Sequence, residues 1–158
     1  MRTALIAFVF AIPAFAALSG CATAQTPAPA DAYIKLEQGG CGFISECPAY
    51  AITLKPGGEY RYEGYKHVAV LGVREGQLSE GAWSEAEKAF AASGWSTLSN
   101  PASRQGGYPC MPDSPFARIT RHISDRDTKV FSYNLGCDSD AGAKLLNALT
   151  GVMQRPAQ

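Results

Sequence analysis

The segment Cys41-Gly-Phe-Ile-Ser-Glu-Cys47-Pro-Ala-Tyr-Ala-Ile-Thr-Leu54 constrains this chain more than any other. Two cysteines with five residues between them bracket a loop, which runs through Pro48 straight into an alternating stretch. Tyr50, Ile52 and Leu54 fall on one face of that stretch, Ala51 and Thr53 on the other, which is the period of a half-buried strand. The segment therefore predicts a tight corner that launches a sheet. Just upstream, Tyr33–Glu37 alternates in the same way, with Ile34 and Leu36 on one face. Just downstream, Lys55-Pro56-Gly57-Gly58 fits a type II turn, because Pro presets φ at the second position and Gly accepts positive φ at the third. Tyr60 and Tyr62 then alternate with Glu59, Arg61 and Glu63, so Ala49 to Glu63 is expected to form a hairpin. A further strand is expected over His67–Leu71, ending at Gly72.

Two helices follow from other signals. Ser84-Glu85-Ala86-Glu87 has the form of a capping box, with Ser84 as N-cap. That helix runs through Phe90 to about Ser93, with Gly94 as the left-handed residue after its end and Phe90 set to touch Trp95. Ser99–Pro109 is polar and glycine-rich and predicts a loop. Ala117–Ile123 and Lys129–Leu135 predict a second hairpin turned at Ser124–Asp127, with Phe131, Tyr133 and Leu135 on one face. From Asp138 or Ser139 onward, Leu145, Leu146, Leu149, Val152 and Met153 recur at spacings of three and four, the stripe of an amphipathic helix. Hairpins and helices in non-alternating order predict an α+β domain: an antiparallel sheet built from two hairpins, with two packed helices and disulfide staples.

The first 20 residues have a different character. Arg2 supplies a positive start, and Ala4–Ala17 is an apolar run broken only by Pro13, too short for a stable bilayer span and typical of a signal peptide. Leu18-Ser19-Gly20-Cys21 resembles the lipobox of bacterial lipoproteins at all four positions. That resemblance implies cleavage before Cys21 and acylation of Cys21, with several acyl chains each contributing about 0.8 kcal/mol per buried methylene. The plainer alternative is an ordinary leader cut at an A-x-A-like site. Residues 21–31 carry Ala, Thr and Pro with no core-forming side chain, so they read as a flexible linker. At about 3.1 Å per residue, ten such residues reach roughly 30 Å. Residues 32–155 remain for one globular domain. Loss of the leader takes away Arg2 and no acid, leaving 13 basic against 14 acidic side chains. A near-neutral exported domain is a poor partner for nucleic acid.

Three motifs then coincide: Cys-x5-Cys-Pro-x-Tyr at Cys41–Tyr50, Tyr-x-Gly at Tyr62–Gly64, and Cys110-x-x-Asp113 with Gly136-Cys137. Together, over roughly Tyr33 to Val152, the chain resembles domain of unknown function 6438, a family frequent among exported proteins and lipoproteins. The resemblance implies a fold and a cysteine pattern, and no reaction. In the family the first loop reads closer to Cys-Phe-Gly-x-Cys-Pro, so CGFISECP carries an insertion.

With Cys21 committed to lipid, four cysteines remain and three pairings are open. Export favours disulfides, and the expected pairs are Cys41–Cys47 across the short loop and Cys110–Cys137 across the second hairpin. A zinc site fits the five-residue gap poorly, and the Cys-x-x-Cys of a redox helix is missing. His67 and His122 each stand alone in an expected strand, His122 facing solvent, and Asp113 has the setting of a turn residue. No acid–base pair, nucleophile elbow, cofactor motif or metal-ligand cluster is visible. The cluster Tyr60-Arg61-Tyr62-Glu63-Gly64-Tyr65-Lys66-His67 offers the most suggestive surface, since interleaved aromatics and cations stack on sugars and partner proteins. Tyrosines at strand spacing also pack one face of a sheet.

These readings predict a non-enzymatic binding or structural module of the cell envelope. It would be lipid-anchored through Cys21 at the outer membrane facing the periplasm, because Ala22 rather than Asp follows the cysteine. Its partner would be an envelope protein or glycan met through Tyr60, Tyr62 and Tyr65. The rival is a small periplasmic thiol–disulfide or other enzyme using the Cys41–Cys47 loop.

Overall fold

The computed structural model describes residues 27–40, 46–99, 114–136 and 140–154. Six strands form one antiparallel sheet: β1 (Tyr33–Gly39), β2 (Ala49–Leu54), β3 (Glu59–Lys66), β4 (Gly72–Gln77), β5 (Phe116–Ser124) and β6 (Asp127–Asn134), in the order β4-β3-β2-β1-β5-β6. Strands β1 to β4 make a meander, and the β5–β6 hairpin is added to the free edge of β1. Helices α1 (Ala82–Ala92) and α2 (Asp140–Met153) cover one face. The fold is α+β, as the mixture of hairpins and amphipathic helices predicts.

Alternation decides which residues meet the helices. Ile34 and Leu36 of β1, Ile52 and Leu54 of β2, and Ala117 and Ile119 of β5 are buried against Phe90 of α1 and Leu145, Leu149 and Met153 of α2. The whole apolar stripe read from the α2 sequence is buried. Phe131 and Tyr133 are buried beside it, whereas Leu135 lies past the end of β6 and is exposed. The opposite sheet face carries Lys35, Glu37, Arg61, Glu63, Glu75 and Arg118. His122 is on that face too, half-buried and stacked on Tyr33 at 4.8 Å.

The end of α1 matches its sequence signals. Gly94 has φ +67, its N–H donates to Ala91 O, and the Trp95 N–H donates to Phe90 O at 3.3 Å. This is the paired bonding of a Schellman motif. The Phe90 and Trp95 rings meet edge-on at 4.8 Å. At the first turn, Gly57 takes φ +92 and the Gly58 N–H donates to Lys55 O at 3.0 Å.

Two expectations need correction. Ser84 is not the N-cap: Gly81 is, without a side-chain cap bond, and Ser84 lies inside the first turn. Glu87 does not close a capping box because Arg121 of β5 draws its carboxylate into a two-pronged pairing at 2.9 and 3.0 Å. The fourth strand is not His67–Leu71 but Gly72–Gln77, five residues later. His67 takes a left-handed φ of +52, so the chain leaves the sheet there. Val68 and Val70 pack on the core edge as a strap between β3 and β4. Strand β4 itself reads Gly-Val-Arg-Glu-Gly-Gln and is exposed throughout, so it offers no apolar alternation to read.

Candidate functional site

Strand directions give the molecule two poles. At one end lie the start of β1, where the linker joins, the β2–β3 turn and the β5–β6 turn. At the other lie Gly39, Cys47–Ala49, the strap, Phe116 and Asn134–Gly136. Residues Pro27–Pro29 of the linker line a cleft with Trp83, Glu87 and Arg121. Helix α2 starts beside Tyr133 and ends with Gln154 bonded to Tyr50, so it crosses the sheet from β6 to β2 near the far pole.

Where α2 ends, a cleft of about 430 Å3 opens between its last turn and the strap. Pro48, Tyr50, Tyr62 and Gln38 form its floor and one wall, Val68–Val70 with His67 the other, and Thr150 and Gln154 the helix side. Two hydrogen-bonded features hold it. Gln154 Nε2 donates to Tyr50 Oη at 2.5 Å, and Tyr50 Oη donates to Gln38 Oε1 at 2.8 Å. Tyr62 Oη donates to Val70 O at 3.2 Å, which pins the strap over β3.

That pin needs glycine beneath it. A Cβ on Gly64 would stand 2.0 Å from Val70 O and 2.9 Å from Tyr62 Oη. Tyr62-x-Gly64 is thus one device: the tyrosine holds the strap and the glycine lets it approach. His67 supplies the turn into the strap, in a conformation uncommon outside glycine though less so for histidine.

The electrostatics suit hydrogen bonding. Burial raises the Tyr50 hydroxyl above the ordinary tyrosine range, with Gln154 opposing this and Tyr62 adding to it. Burial raises Tyr62 as well. Both keep their protons at neutral pH. Among the described residues, the cleft lining contains no carboxylate, lysine or arginine.

The residues singled out from sequence are dispersed. Tyr62 is buried in the cleft floor, and Tyr60 packs over Gly76 on the helix side of the sheet. Tyr65 is 58% exposed and donates to Glu63 at 3.2 Å. The Arg61 hydrogen bond holds the Glu63 carboxyl below its usual range. Tyr60, Tyr62 and Tyr65 therefore do not share one surface. His67 is on the cleft rim, while His122 lies at the linker pole, in contact with Thr128 at 2.6 Å. Cys47 is half-buried and disulfide-bonded, one residue from Pro48 of the cleft. Cys21, Cys41, Cys110, Asp113 and Cys137 lie outside the described residues. Among the described residues, no His, Cys, Asp and Glu gather as a metal-binding group, and no helix is long and apolar enough to cross a membrane.

Sequence reasoning missed Gln38, Thr150, Gln154 and the strap. Gln154 carried one signal: it sits four residues after Thr150, just past the α2 stripe, where a polar side chain extends the buried face.

Residues 32–153 match the family described as Domain of unknown function (DUF6438), nearly all of the chain beyond the linker. The chain belongs to the DUF6438 family. No curated protein matches it. Two of the three motifs that carry the family resemblance, Cys47-Pro-x-Tyr50 and Tyr62-x-Gly64, meet at this cleft, and Gly136 of the third lies two residues past the end of β6 at the same pole.

Proposed function

We propose that this DUF6438 protein is an envelope lipoprotein whose domain binds a partner without catalysis, at the pole away from its tether. One observation carries the binding reading: Pro48, Tyr50 and Tyr62 of two motifs meet Gln38 and Gln154, distant in sequence, in a cleft whose described lining offers protonated hydroxyls and side-chain amides. The anchoring reading rests on the complete LSGC sequence at Leu18–Cys21, which makes Cys21 the acylated first residue of the mature chain, with Ala22 favouring the outer membrane. Cys41–Cys47 and Cys110–Cys137 are the proposed staples. In that scheme the Cys41–Cys47 bond fixes the corner from which Pro48 and Tyr50 enter the cleft.

The proposed partner is an envelope protein or glycan. Tyr62 contributes by shaping the cleft, Tyr60 by packing the sheet behind it, and Tyr65 by offering an exposed ring beyond its edge. The rival, a thiol–disulfide enzyme, draws support from the disulfide-bonded Cys47 beside the cleft. A strained bond there would be readily reduced.

Intact mass of the full-length protein tests the anchor. Wild type is expected to carry acyl mass on Cys21 and to fractionate with membranes, and Cys21→Ser to lose both. A wild-type protein without acyl mass would overturn the lipoprotein reading. Peptide mapping without reductant tests the staples: two disulfides and no free thiol are expected, whereas cross-pairing or four free thiols would contradict them.

A further inference from the structure

The cleft holds a hydrogen-bonding pattern that points to its guest. In the relay Gln154 Nε2 to Tyr50 Oη to Gln38 Oε1, each glutamine uses one end of its amide. The unused ends are Gln38 Nε2, a donor, and Gln154 Oε1, an acceptor. Reversing both amides exchanges the two roles and still leaves one donor and one acceptor. No side-chain nitrogen or oxygen among the described residues is buried without a partner, so both ends are open to solvent or a guest. A donor and an acceptor flanking one hydroxyl complement a secondary amide, which offers a C=O to the first and an N–H to the second.

The remaining lining narrows the class. Val68, Ala69 and Val70 form an apolar wall suited to a methyl group, and Pro48 and the His67 ring give flat surfaces at the rim. Among the described lining residues a charged guest would meet no carboxylate, lysine or arginine to offset its loss of water, a costly exchange. The strands that line the cleft, β1, β2 and β3, are each paired on both sides, so a polypeptide finds no free strand edge there to extend, a usual means of holding a peptide backbone. We infer that the cleft between α2 and the strap binds a neutral N-acetylhexosamine glycan, with the acetamido group held between Gln38 and Gln154. This rests on the binding reading above and assigns its ligand.

The test uses the full-length protein in a detergent without a sugar headgroup, titrated calorimetrically with N-acetylglucosamine trimer. Saturable binding is expected. Cellotriose, which has hydroxyls in place of acetamido groups, should bind weaker by roughly ten-fold or more, since each 1.4 kcal/mol is a factor of ten. The deacetylated, cationic trimer should bind no better than cellotriose. Gln154→Leu should weaken binding by a similar factor. Should that variant fail to fold, Ala69→Trp fills the cleft without touching the relay and should abolish binding with the melting temperature unchanged. Absent binding, equal binding of cellotriose, or an unaffected Ala69→Trp protein would overturn the assignment. Tighter binding of N-acetyl-trialanine methylamide would replace the glycan with a polypeptide. The acyl mass of Cys21, read on the same preparation, separates failure here from failure of the anchor.

Discussion

At Gly64 the β3 backbone lies close enough to the Val70 carbonyl that no other residue fits without moving the strap. Gly64→Ala should cost about 1–3 kcal/mol, the usual range for forcing an extra carbon into a packed site. Urea unfolding would measure it, and an unchanged midpoint would show that the strap does not rest on β3. Tyr62 and Gly64 were legible as a motif, but their purpose was not. Val68 to Leu71 looks like a strand by composition, and only the left-handed turn at His67 turns it into a strap. The role of Gln154 was hidden for a related reason: its value comes from Tyr50, 104 residues away. Local patterns carry no record of such pairings.

Elements whose signals are local were read well, and those decided by a distant partner were not. The end of α1 depends on Gly94 and on Phe90 meeting Trp95, all within a few residues, and it falls where the sequence puts it. Its start was misplaced because Glu87, the far half of the expected capping box, belongs to Arg121 across the core. A true N-cap serine costs about 1 kcal/mol when replaced by alanine. With Gly81 as the cap, Ser84→Ala should stay within about 0.5 kcal/mol of wild type. A loss of 1 kcal/mol or more, about the capping value, would return Ser84 to the cap. Strand β4 was misplaced for the opposite reason. Its helix-side positions are Gly72, Arg74 and Gly76, and Gly76 leaves room for the Tyr60 ring, so burial leaves no apolar imprint there.

At the scale of the whole molecule, the sheet separates a pole where the linker joins from a pole where the cleft opens. Tyr50 and Tyr62 couple the second pole to pH. Both hydroxyls are raised by burial above their value in the unfolded chain. The folded state therefore holds these protons more tightly. The resulting stability is intact below the ordinary tyrosine pKa near 10 and is lost as pH rises through the raised values. Melting temperature should fall above about pH 10, and the fall should be shallower in Tyr50→Phe. Parallel profiles for the two proteins would show that Tyr50 does not couple the cleft to pH.

The central claim is that the domain meets its partner at the pole away from the tether. Photo-crosslinking in intact cells tests it most directly, with a photoreactive phenylalanine placed at the exposed Tyr65 beyond the edge of the cleft or at Arg126 in the turn of the linker pole. Envelope material attached through Tyr65 and not through Arg126 is the predicted result. Attachment through Arg126 alone, or equally through both, would contradict it.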